Sequence, residues 1–389
     1  MARPRARDLG IRIGLGRTGP LNAITDVPGV RVGHTTLISG DGPLVVGQGP
    51  IRTGVTAIVP HDGDVWREPL FAGSFSLNGN GEMTGLLWIE ESGLLSSIIG
   101  LSNTHAIGVV HDALVRTAVA TTGIHLPWTL PVASETWDGM LNDIDGMHVK
   151  TEHVMAAIES AAGGPVAEGN VGGGTGMVTH EFKGGIGTAS RLLPPDAGGW
   201  TVGALVQSNY GDRDQLRIDG VPVGEEIGLD EVTSPYGDER SPVAWPEAGA
   251  GSIIGIVATD APLLPHQCIA LAKRAALGAA RVGCYASLGS GDIFLAFATG
   301  NRGLASEESP VPPGTTVPSE MVAGAALTPL LLAATEAVDE AIVNALVAAE
   351  TMVGRDGITA HALPHDRLVE VMDRYGRGPR RNREADPRV

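Results

Sequence analysis

Residues 230–258 read DEVTSPYGDERSPVAWPEAGAGSIIGIVA. Up to Gly251 the stretch is acidic, rich in Pro and Gly, and without hydrophobic period, which is the composition of an exposed loop. From Ser252 it becomes a short, mostly apolar run, Ser252-Ile-Ile-Gly-Ile-Val-Ala258, that reads as a buried strand. The chain passes from loop to core at a single residue, and the Gly-Ser pair there admits two readings. One is an ordinary strand start. The other is a cut site: a serine hydroxyl is a weak nucleophile until a base takes its proton, and a break before Ser252 would create an α-amine in the same residue. With an unperturbed pKa of about 7.7 to 8.0, that amine can serve as the base, and no histidine is needed. Gly251, lacking Cβ, would let the preceding peptide take the strained geometry in which Ser252 attacks its own carbonyl.

Working outward, a helix is predicted from Pro265 to Val282, then a Gly/Ser turn, Leu288-Gly-Ser-Gly291, and a strand from Ile293 to Thr299. Thr328 to Val353 reads as one or two Ala/Leu-rich helices with Pro329 in the first turn. Toward the N-terminus, Val30 to His34 and Thr201 to Ser208 read as strands. Residues 106–121 begin like a strand and continue with helical spacing, and 151–162 place Val154, Ile158 and Ala161 on one helical face. Strands mixed with helices and no internal repeat favour one layered α/β or α+β domain. The basic stretch from Arg374 to Val389 reads as a disordered tail.

Of 389 residues, 43% are hydrophobic but only 4% aromatic, and 55 are Gly. A core of that composition is built from Ala, Val, Leu and Ile, with Gly serving turns and close backbone contacts. The net charge of −17 is a poor match for nucleic acid or an anionic membrane, so neither is expected as a partner. The apolar run from Ala325 to Ala334 is too short to span a bilayer, and the N-terminus lacks the apolar core of a secretory signal. Cys268 and Cys284 read as buried thiols, and a soluble, cytoplasmic protein is expected.

Other motifs lead nowhere. Gly14-Leu-Gly-Arg-Thr-Gly19 matches a dinucleotide fingerprint as a string, but Pro20 and the turn Val27-Pro28-Gly29 follow where a helix is required. Gly172-Gly-Gly-Thr-Gly176 lacks the Lys-Ser/Thr ending of a phosphate loop. The histidines and cysteines form no metal-ligand pattern, and no GxSxG elbow is present, so no metal or cofactor is expected.

Six ordered segments carry a resemblance: Asn22 to His34, Asn78-Gly-Asn-Gly-Glu-Met-Thr-Gly85, Gly169 to Gly176, Gly251-Ser252, Gly289 to Gly300 and Asn344 to Met352. Over residues 20–357 the sequence resembles the family of L-aminopeptidase D-amidase/D-esterases and β-aminopeptidases, the DmpA family, related in architecture to N-terminal-nucleophile hydrolases. That resemblance implies an αββα sandwich. It also implies a single catalytic domain, residues 1–389, that cleaves itself into fragments 1–251 and 252–389, assembles as a homotetramer and releases amino-terminal residues from short peptides, amides or esters.

Carried over by residue, the resemblance makes Ser252 the nucleophile and Gly251-Ser252 the cleavage site. Ser290 and Asp292 correspond to the family's second serine and acidic partner; Asp292 has a shorter reach than the Glu found in some members. Without the family, both would be read as turn residues before a strand. Asn209, at the end of the predicted strand and otherwise an ordinary strand-ending Asn-Tyr-Gly turn residue, resembles the side-chain donor of the oxyanion hole. Glu135, in Ser134-Glu-Thr-Trp137, is the candidate carboxylate for the substrate's ammonium group, with Trp137 as a pocket wall and Asn142 as a further hydrogen-bonding residue, or both as packing and turn residues. Two alternatives stand beside this reading: an acyltransferase resembling ornithine acetyltransferases, which cleave before a threonine, and a non-catalytic binding protein retaining the fold.

Overall fold

Strands at Ile51–Val59, Thr201–Asn209, Gly251–Thr259 and Ser290–Ala298 are buried almost from end to end. A strand reaches that state only where both faces of its sheet are covered. The computed structural model describes residues 4–122, 128–242, 251–305 and 311–379. In chain order the strands of the two large sheets are β1 (Arg31–Ser39), β2 (Ile51–Val59), β3 (Leu70–Ser76), β4 (Leu94–Leu95), β5 (Ile99–Asn103) and β6 (Val132–Thr136), then β9 (Gly185–Leu192), β10 (Thr201–Asn209), β11 (Gly251–Thr259) and β12 (Ser290–Ala298); β7 (Val178–Thr179) and β8 (Phe182–Lys183) form a small hairpin between the two groups. The helices are α1 (Leu86–Ser92), α2 (Ile107–Thr122), α3 (Thr151–Glu159), α4 (Val223–Glu226), α5 (Pro265–Val282), α6 (Thr328–Ala348) and α7 (His365–Arg374).

The first large sheet has the order β1-β2-β5-β6 and the second β4-β3-β12-β11-β10-β9. Their facing sides meet in one core, with Ile58, Ile99, Leu101 and Val132 against Leu205, Ile254, Ile256, Leu295 and Phe297. On the outside of the first sheet, Val110 and Leu114 of α2 and Val154 of α3 pack against Val55 and Ala57. On the outside of the second, Leu271 of α5 and Ala341 and Ile342 of α6 cover Val257 and Phe294. The layers are therefore helix, sheet, sheet, helix, as the resemblance implied. Small residues set the spacing: a Cβ at Gly187 of β9 would lie 1.9 Å from the Ala341 carbonyl of α6.

Strands β11 and β12 run parallel, whereas the other pairs of their sheet are antiparallel. A parallel pair needs a crossover, and α5 supplies it between residues 265 and 282, the bounds expected from the sequence. Four expectations are corrected. Residues 106–121 contain no strand: a short turn at Thr104–Ala106 leads directly into α2, because Asn103 caps it by accepting from the Ala106 N–H. Ser290 and Gly291 are strand rather than turn, because pairing with β11 extends β12 back to Ser290. Thr328 to Val353 is one helix that ends at Ala348, followed by a short strand at Met352–Val353. Residues 230–242 form turns, as expected of an exposed loop; 243–250 lie outside the described residues, as do 380–389 of the predicted tail, whose first residues, 374–379, are instead held in place: Arg374 closes α7, the Arg377 N–H donates to the Met372 carbonyl (2.8 Å), and a Cβ at Gly10 would lie 2.6 Å from Pro379 Cβ.

Ile256 is fully buried in the layer between the sheets, away from the ends of its strand. Ile256→Ala should lower unfolding free energy by about 2 to 5 kcal/mol in urea denaturation, since the cavity cannot collapse between two rigid sheets.

Candidate active site

Strand register brings the predicted residues together at one end of the second sheet. Ser252 is the second residue of β11; its antiparallel partner is Asn209, the last residue of β10, and its parallel partner is Gly291 of β12. Side chains alternate across a sheet, so Ser252 shares the face of Ile254 and Ile256 toward the other sheet. Asn209 shares that face with Leu205 and Gln207, whose amide reaches Ser102 and Thr136 of the first sheet. Asp292 lies on the opposite, helix-covered face with Phe294 and Cys284. The Ser252 hydroxyl and the Asp292 carboxylate therefore approach the strand start from two sides.

Gly251 has φ +141°, and a Cβ there would lie 2.1 Å from the Asn209 carbonyl. Only glycine fits where β11 begins this close to the end of β10. Ser252 is 5% exposed. Its Oγ donates to the Gly251 carbonyl oxygen (2.7 Å) and accepts from the Gly291 N–H (3.3 Å). The hydroxyl is thus held against the peptide that would be cut.

Asn209 is oriented by both ends of its amide. Oδ1 accepts from the Val178 N–H (2.8 Å), and Nδ2 donates to the Trp137 carbonyl (2.9 Å). An amide nitrogen carries two protons, so the second is left over for another acceptor.

Ser290 Oγ donates to Asp292 Oδ1 (2.6 Å) and Cys284 Sγ donates to Asp292 Oδ2 (3.6 Å). The Asp292 N–H donates to Asn78 Oδ1 (2.7 Å). Burial raises the Asp292 pKa above the ordinary carboxylate value, and hydrogen bonds from Ser290, Cys284 and the Ile253 N–H oppose that rise. With its proton committed to Asp292, Ser290 Oγ offers lone pairs to whatever group lies at its register partner Gly251 and the adjoining Ser252 nitrogen.

Glu135 belongs to β6 of the other sheet and is 3% exposed. Oε1 accepts from the Glu82 N–H (2.9 Å), and Oε2 accepts from the Thr104 hydroxyl. Burial raises its pKa, and those hydrogen bonds work against the rise. The Asn78-Gly-Asn-Gly segment connects Glu135 to the surroundings of Ser252: a Cβ at Gly81 would lie 3.1 Å from Gly291 Cα and 3.3 Å from Glu135 Oε1. Trp137 packs in a small cluster with Met140, Leu141, Val178 and Tyr236 beside Asn209. Asn142 stands apart in its bonding: Oδ1 accepts from the Arg52 N–H (2.8 Å) and Nδ2 donates to Asp138 (3.0 Å), so it holds strand β2 and the turn after β6 together.

The sequence reading gave no role to Cys284, Asn78 or Thr104. Asn78 and Gly81 fall in a quoted motif, but their approach to β12 depends on the β3–β12 pairing. Cys284 and Thr104 carry no local signal. Among the described residues no group of His, Cys, Asp and Glu is arranged to hold a metal ion, and no helix is long and apolar enough to cross a membrane.

Comparison with known proteins places these residues in a lineage. Residues 22–360 match the model of peptidase family S58. The chain is 49% identical over 378 residues to the β-peptidyl aminopeptidase BapA of Sphingosinicella microcystinivorans, covering 96% of this chain and 93% of that protein. Among solved structures it is similar to a Burkholderia sp. β-aminopeptidase (53% identity, TM-score 0.86) and covers 96% of this chain and 99% of that one. It is also similar to the L-aminopeptidase D-Ala-esterase/amidase of Ochrobactrum anthropi, described as a prototype for the serine aminopeptidases and a new variant of the Ntn hydrolase fold (44% identity, TM-score 0.85, 96% and 99% coverage).

The close approach at Gly251 has a measurable cost. In a Ser252→Ala background, Gly251→Ala should destabilise the protein by about 1 to 3 kcal/mol in thermal or urea unfolding, through strain at positive φ and collision with β10. Gly79→Ala, at a glycine with open space around it, should be near neutral.

Proposed function

The chain belongs to peptidase family S58 and is a serine aminopeptidase of Ntn-hydrolase fold; on that premise we propose that it cuts itself before Ser252 and uses the resulting terminus as both nucleophile and base. The observation that carries this reading is the Ser252 hydroxyl, 2.7 Å from the Gly251 carbonyl oxygen and facing Asn209 across the strand pair. In processing, Oγ attacks the Gly251 carbonyl carbon, the C–N bond to Ser252 breaks as its nitrogen takes the proton, and water hydrolyses the ester. The products are a Gly251 carboxylate and a Ser252 α-amine.

In turnover that amine accepts the Ser252 hydroxyl proton as Oγ attacks the carbonyl of the substrate's amino-terminal residue. The free Nδ2 proton of Asn209 meets the oxyanion, a contribution of roughly 3 to 4 kcal/mol in a comparable site. Collapse transfers the proton to the leaving amine, and water then releases the acyl group to restore Ser252. Ser290 accepts a hydrogen bond from the amine and turns its lone pair toward Oγ, while Asp292 fixes Ser290. Glu135 takes the substrate's ammonium group, with Trp137 beside it. Substrates are short peptides, amides or esters with a free amino terminus. β-Amino termini are the first class to test, because the Sphingosinicella and Burkholderia relatives are named for them.

Asn142 serves this reading by supporting β2 rather than by touching substrate, given its internal bonds. A homotetramer of processed units in the cytoplasm completes the reading; exposed Leu15 and Leu332, beside Pro194 and Pro329, supply apolar surface for association. Family membership with peptidases, and a serine at the cut, leave the acyltransferase and the non-catalytic protein without a supporting observation.

Activity on β-aminoacyl and L-aminoacyl p-nitroanilides tests the assignments. Ser252→Ala should abolish hydrolysis of both, and Asn209→Ala should lower kcat by about 10² to 10³; unchanged turnover in Ser252→Ala would refute the mechanism. Because burial raises the Glu135 pKa, its protonated form gains ground at a higher pH than for an ordinary carboxylate. KM should therefore rise as pH falls from neutral, and Glu135→Gln should raise KM at neutral pH and flatten that dependence.

A further inference from the structure

The proposed chemistry uses Ser252, Ser290 and Asp292; the side chain that completes this cluster is Cys284. Its position is set by the end of α5. Gly283 adopts φ +111°, its N–H donates to the Ala280 carbonyl, and the Cys284 N–H donates to Ala279 (both 3.1 Å), which is the Schellman arrangement that stops a helix. A Cβ at Gly283 would lie 2.1 Å from the Gln215 carbonyl, so the helix end is pinned against the segment following β10. From this fixed point the thiol reaches Asp292 Oδ2 at 3.6 Å, eight residues along the chain. That contact spans the loop delivering Ser290 to β12.

The two carboxylate oxygens of Asp292 are thereby divided, Oδ1 to the Ser290 hydroxyl and Oδ2 to the Cys284 thiol. Among the described residues no Lys or Arg forms an ion pair with Asp292. Burial and the neighbouring carboxylate push the Cys284 thiol up to about 12, so it stays protonated and donates. The other groups facing Asp292 are the Ile253 N–H, Asn78, and the Tyr210 phenol, which burial holds neutral. Behind Tyr210, α6 contributes Asp339, whose partner is Arg281 of α5.

We propose that Cys284 is a positioning residue for the aminopeptidase reaction: its thiol holds Asp292 Oδ2, which keeps Oδ1 on Ser290 and so fixes the acceptor that orients the Ser252 amine. The proposal rests on the roles given to Ser290 and Asp292 above. Losing the thiol donor concentrates charge on the remaining oxygen and makes both Asp292 and the adjoining amine hold protons more tightly. The acid limb of kcat then moves to higher pH, whichever of the two groups sets it.

The test is the kcat–pH profile at saturating β-aminoacyl p-nitroanilide, where Glu135 is occupied by substrate, together with the thermal midpoint of each variant. Cys284→Ala should shift the acid limb upward by about 0.5 to 1 pH unit, as expected for loss of a hydrogen bond to a charged group, and lower kcat at neutral pH several-fold. Cys284→Ser keeps a donor and should sit at or below the wild-type position, which preserves the test if the alanine variant does not fold. Asp292→Asn separates this proposal from its premise: it should remove the charge and either move the limb downward or abolish turnover. If Asp292→Asn behaves so while Cys284→Ala changes only the thermal midpoint, with a profile superimposable on wild type, the role of Cys284 is overturned and that of Asp292 stands. An Asp292→Asn profile identical to wild type overturns both.

Discussion

The parallel pairing of β11 with β12, in the register that sets Gly251 against Ser290 and Ser252 against Gly291, is the constraint on which the site depends. A parallel pair requires the long crossover that α5 provides, and α5 in turn fixes where Cys284 and the returning loop begin. On the other side of β11, antiparallel pairing with β10 puts Asn209 opposite Ser252. Three adjacent strands thus bring Ser252, Asn209 and Asp292 together without any of them needing a long, flexible side chain. A shift of one residue in either pairing would turn Ser252 away from Asn209 and toward the helical layer.

The electrostatics follow from the same placement. Asp292 is wholly buried and is held by hydroxyl, thiol and backbone donors. A buried carboxylate without a cation is costly, and these neutral donors offset only part of that cost. Creation of an amine at Ser252 would introduce a proton-binding group beside it, so processing and the local charge balance favour one another. Glu135 presents a related case across the sheet interface, where a buried carboxylate with raised pKa would gain from a cationic neighbour.

Much of this was legible in the sequence, and the limits have physical causes. The abrupt change from an acidic, Pro-rich stretch to Ser252-Ile-Ile marked the start of β11 to within a residue, because burial demands apolar composition on both faces of a central strand. The bounds of α5 followed from Pro265 and Gly283, residues whose backbone preferences act locally. Ser290 and Gly291 looked like a turn because their composition is that of a turn; only pairing with β11, some forty positions distant, makes them strand. Asn209 was read as the end of a strand, and its partners Val178 and Trp137 depend on contacts between sheets that no local pattern encodes. Asn142 was read either as a hydrogen-bonding residue of the pocket or as a packing and turn residue, and its bonds to the Arg52 N–H and Asp138 come from contacts between β2 and the turn after β6 that no local pattern encodes. Cys284 left no trace beyond an apolar neighbourhood, since its part in the cluster comes from tertiary geometry alone.

The central claim is that the working catalytic group is a serine at a newly made chain terminus. Determining the amino-terminal residue of each polypeptide in fully active, purified protein, by sequencing and intact mass, tests it most directly. The account predicts two polypeptides, the smaller beginning at Ser252 and matching residues 252–389 in mass. A single uncut chain with full aminopeptidase activity would contradict it.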